Sequence, residues 1–83
     1  SYAQLNLAEM VQQAGCKSTQ QAVDYLMLRF LPVPIDSESR KKIAAMLQAE
    51  LGTDDLSRAE TYMEEALRTT LHVILSLPAY QLG

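Results

Sequence analysis

The sequence has no tryptophan, one phenylalanine, three glycines and three prolines among its 83 residues. So little glycine and proline argues against a loop-rich β fold and for helices. There is one cysteine, Cys16, so an internal disulfide is excluded and the compartment stays open. The one histidine, His72, has no cluster of Cys, Asp or Glu around it at zinc-ligand spacing. A Gly-rich phosphate loop, an EF-hand loop and a nucleophile elbow are all missing. No run reaches the roughly 20 apolar residues that span a membrane. Basic charge is scarce too: seven Lys and Arg stand against ten Asp and Glu, for a net charge of −3. Phosphate binding depends on clustered Lys and Arg, so nucleic acid is disfavoured as a partner.

What is present is ordinary core-forming material, 48% apolar and 20% charged. The length sets one domain, 1–83. A chain this short buries only roughly 60% of its unfolded surface, so its stability margin is thin. The basic cluster Arg40-Lys41-Lys42 follows Glu38, which is placed to pair with Lys41 or Lys42 on a solvated helix face.

Hydropathy patterning predicts four helices in an all-α bundle. In the first, over about 6–14, Leu7, Met10, Val11 and Ala14 form one stripe, and Gly15 ends it. The second, over about 19–30, takes Ser18 as N-cap with Gln21 completing a capping-box pattern. Its expected buried face is Ala22, Val23, Leu26, Met27 and Phe30, widened by Leu28 and Leu31. Leu31-Pro32-Val33-Pro34-Ile35 then makes a stiff connector, with Val33 and Ile35 expected to dock on the core. The third helix starts after Asp36 or Ser37 and runs to about Leu51, with Ile43, Met46, Leu47 and Leu51 as its stripe, Ala44 beside it and Gly52 as its stop.

The fourth is expected to be long and central, from a cap at Thr53, Asp54 or Asp55 through Leu77. From Leu71 to Leu77 only His72 and Ser76 break the apolar run, so that segment is expected to be enclosed on every side.

Several residues qualify as candidates for chemistry. Cys16 and His72 are a conceivable nucleophile and base. The plainer reading makes Cys16 a small half-buried hydrophobe and His72 a polar edge. Glu60, Glu64 and Glu65 form an acidic helix face, with Glu64 and Arg68 paired at i and i+4. The first two helices could be a helix-turn-helix, yet the second has only Arg29 as a basic residue. The methionines 10, 27, 46 and 63 sit one to a helix and read as core filler.

Two stretches carry a resemblance. Pro34-Ile35-Asp36-Ser37-Glu38-Ser39-Arg40-Lys41-Lys42-Ile43 leads into a helix. The run from Leu67 onward ends in Ser76-Leu77-Pro78-Ala79-Tyr80-Gln81-Leu82. Over roughly residues 24 to 82 the chain resembles the extreme C-terminus of a large bacterial family catalogued as domain of unknown function eighteen hundred. Members often end in a helix and a Ser-Pro-Glu-Phe-Gln-Leu-like tail. Leu77 is an insertion relative to that tail, and Ala79 replaces its acid. Planctomycete families of unknown function have a related ending. The resemblance implies a helical piece of a larger bacterial protein, often exported, and maps no catalytic residue onto this chain. The start at Ser1, without Met or a signal-peptide pattern, agrees with a C-terminal fragment.

The expectation is therefore a non-enzymatic helical packing or protein-interaction module without cofactor or metal. Its expected partner is the remainder of the parent chain or a second copy, with Met27, Tyr80 and Leu82 as contact candidates. One alternative is the C-terminal part of an enzyme whose active site lies upstream. A second is a small helix-turn-helix DNA-binding domain.

Overall fold

The computed structural model describes residues 5–59 and 61–78. Among them the chain forms α1 (Leu7–Gln13), α2 (Thr19–Phe30), α3 (Ser37–Leu51) and α4 (Met63–Leu75), with a 3₁₀ turn at Leu56–Arg58 before α4. The fold is all-α.

The starts and stops follow local chemistry. Asn6, Ser18 and Asp36 each accept the amide three residues on, capping α1, α2 and α3. Gln21 Oε1 accepts the Lys17 amide at 2.7 Å, one residue earlier than a capping box requires. Gly15 and Gly52 take φ of 80° and 75°, the left-handed conformation that closes a helix without a Cβ penalty.

The fourth helix departs from expectation. The stretch foreseen as one long helix opens instead with the 3₁₀ turn Leu56–Arg58, and α4 starts only at Met63 with Tyr62 as a cap that makes no side-chain bond. Polar side chains organise the segment ahead of α4. Asp55 Oδ1 accepts the Ser57 amide and hydroxyl, which holds the short 3₁₀ turn. Asp54 turns away to α2, where its Oδ1 accepts both the amide and the hydroxyl of Thr19. Backbone bonds Thr19 N–H to Asp54 O and Leu56 N–H to Lys17 O close an antiparallel bridge between Ser18 and Asp55.

α4 is nevertheless central, packing on α1, α2 and α3. Met63, Leu67, Leu71 and Ile74 are its innermost residues, each at most 1% exposed. Full enclosure of its last turns is not found: Val73, Leu75 and Leu77 are half-buried, and His72 and Ser76 are exposed. On α3 the buried residues are Ile43, Ala44, Leu47 and Leu51. Ala44 turns the buried arc away from Met46, which is 52% exposed and so not the core filler expected.

Candidate functional site

An apolar hollow lies where α2 runs into the proline connector. Met27, Leu28, Leu31, Pro32, Val33, Pro34 and Ile35 line it, with Asp24 and Arg40 at its edge, around a volume of about 490 Å³. Two turns of logic in the sequence build it. The face of α2 that packs inward carries Ala22, Val23, Leu26 and Met27, which leaves Leu28 one turn beyond Asp24 on the opposite face. Leu31, ahead of Pro32, is extended at φ −103° and ψ 143°, and the chain bends at Pro32 and Val33, so the connector leaves the α2 axis rather than continuing it.

Leu28 is 86% exposed and Val33 47% exposed. Both were expected to face the core. Leu28 belongs to the polar side of the helix, and Val33 is fixed between two prolines while Ile35 packs on the core. Leu31 and Met27, by contrast, are buried. Met27 thus contributes wall and floor to the hollow and little free surface. Tyr80 and Leu82, the other two contact candidates, lie outside the described residues.

The groove's edge is polar and ordered. Arg40 Nη1 donates to Asp24 Oδ1 at 3.1 Å, and Arg40 Nε donates to the Ile35 carbonyl at 3.0 Å. Gln20 Nε2 donates to the same Asp24 oxygen at 3.0 Å. One guanidinium therefore pins the connector to α2 and α3 together. The basic residue that finds an acidic partner in this cluster is Arg40, across helices, and not Lys41 or Lys42 with Glu38.

A second hollow, of about 330 Å³, lies beside Cys16 and is lined by Gln12, Lys17, Asp55, Ser57 and Met63 among others. The Cys16 thiol donates to the Gln21 carbonyl at 3.6 Å. Burial first, and the Asp24 charge second, push this thiol up from its ordinary value. A raised thiol is a poor nucleophile at neutral pH. His72 sits on the exposed side of α4. Cys16 follows α1 in the turn before α2.

Glu64 makes the expected i,i+4 pair with Arg68 and also reaches across to α1. Its two oxygens accept the amides of Leu7 and Ala8 at 3.1 and 2.8 Å, and it also pairs with Arg68 at 3.1 Å. Arg68 Nη2 in turn donates to the Leu5 carbonyl at 2.6 Å. Glu65 remains exposed, and Glu60 lies outside the described residues. Among the described residues no three His, Cys, Asp or Glu side chains are grouped to hold a metal ion. No helix among them is long and apolar enough to cross a membrane.

The helix-turn-helix expectation finds α1 and α2 joined by a short turn, as foreseen. Of α2's basic side chains only Arg29 is present, and it lies over the Phe30 ring, 5.9 Å from its centroid. Neither a protein-family model, nor a curated protein, nor a solved structure matches this chain.

Proposed function

We propose that this chain is a non-catalytic helical module that packs its α2–connector groove against the remainder of a larger bacterial protein. The observation that carries the reading is Leu28, a large aliphatic side chain 86% exposed at the edge of an apolar hollow. Covering such a side chain stabilises a contact by about 1.5–3 kcal/mol. A lone exposed leucine is unremarkable, but here it continues into Val33 and the prolines as one surface. Pro32 and Pro34 lack amide hydrogens, so the connector is unsuited to pairing with an added strand. An apolar helix or loop is the occupant that suits it. The likeness of residues 24 to 82 to the end of a bacterial family supports placing that occupant upstream in the same gene product.

The test is binding in trans. The chain is mixed with the upstream part of its gene product, and association is followed by sedimentation. The expected result is a complex that Leu28→Glu weakens at least about tenfold, with the helical circular dichroism of the variant unchanged. Association of the chain with itself, lost in the same variant, would assign the groove to a second copy and overturn the assignment to the parent. A folded chain that binds neither would overturn the interaction reading altogether.

A further inference from the structure

We draw no further inference here: the strongest candidate, the apolar groove between the C-terminal end of α2 and the 31–35 connector, already belongs to the site described, and nothing in the structure shows what else covers it.

Discussion

Glu64 caps Ala8: a carboxylate on α4 accepts the first-turn amide of α1 at 2.8 Å, across 56 residues of chain. A seven-residue helix has little stability of its own. α1 leaves orphan amides at its start, and one side chain from a distant helix satisfies two of them. Its negative charge also suits the positive end of the α1 dipole.

Removing that cap gives the first prediction. Glu64→Ala should lower unfolding stability by about 1–2 kcal/mol, the usual worth of a helix cap. Glu64→Gln keeps an acceptor oxygen and should lose less. Hydrogen exchange is the sharper measurement, because the Leu7 and Ala8 amides should lose protection ahead of the α2 and α3 amides. Equal protection in the variant would show that packing and the Asn6 cap hold α1 without Glu64.

Thr19 and Asp54 give the second. Thr19 is 2% exposed, and both its amide and its hydroxyl reach the Asp54 carboxylate. Asp54→Ala leaves the hydroxyl buried without its partner, at a cost of about 1–3 kcal/mol. Thr19→Val in the same chain should recover part of that loss. A double-mutant cycle read from urea midpoints should show a coupling of about 1 kcal/mol, and strict additivity would contradict the contact.

Leu26 and Leu28 are two residues apart and should behave oppositely. Leu26 is fully buried, so Leu26→Ala should cost about 2–5 kcal/mol by opening a cavity. Leu28→Ala should stay within about 0.5 kcal/mol, as surface changes do. Thermal unfolding of the two variants side by side decides it, and comparable losses would mean that Leu28 is covered in solution.

Gly52 ends α3 with φ of 75°, and a Cβ added there would meet nothing within 4 Å. Gly52→Ala should therefore cost about 1–2 kcal/mol from backbone strain alone. Since no clash accompanies that strain, Gly52→Asn should cost less, because asparagine tolerates the left-handed region better.

Acid should weaken the fold through two caps. The Ser39 amide and then its hydroxyl hold the Asp36 carboxyl below its ordinary value, and the Ser57 hydroxyl and then its amide do the same for Asp55. A folded-state value below the unfolded one contributes stability that is complete above the ordinary aspartate range. That contribution is lost as pH falls through the folded value. Urea midpoints from about pH 6 down to about pH 2 should therefore decline at the acid end. The decline should be shallower in the Asp36→Asn, Asp55→Asn double variant. An unchanged slope would remove these two groups as its source.

Local signals made the helices readable. The stops at Gly15 and Gly52 and the caps at Ser18 and Asp36 are set by neighbours within four residues, so a one-dimensional pattern contains them. The interruption before α4 was not readable in the same way. An aspartate near a helix start is an ordinary cap for that helix, and only the fold brings Thr19 within reach of Asp54. Glu64 was readable in part: its i+4 pair with Arg68 is present as expected, while its bonds to the α1 amides depend on the fold. The groove was half visible. Leu28 follows Asp24 by four residues, which already placed it away from Leu26 and Val23. What hides it is the unbroken apolar run Leu26-Met27-Leu28, which widens the expected buried face to take in Leu28. The contact candidates at Tyr80 and Leu82 lie outside the described residues, and Met27 stands as the wall of the groove.

The proline connector looks like a natural place to divide the molecule into two helical hairpins. The carboxylates that cross it forbid this: Asp54 and Glu64 come from the second hairpin, and the helix starts they secure belong to the first. A chain severed at Val33 would yield fragments that each lack what the other supplies. Two such fragments, marginal apart, should recombine when mixed.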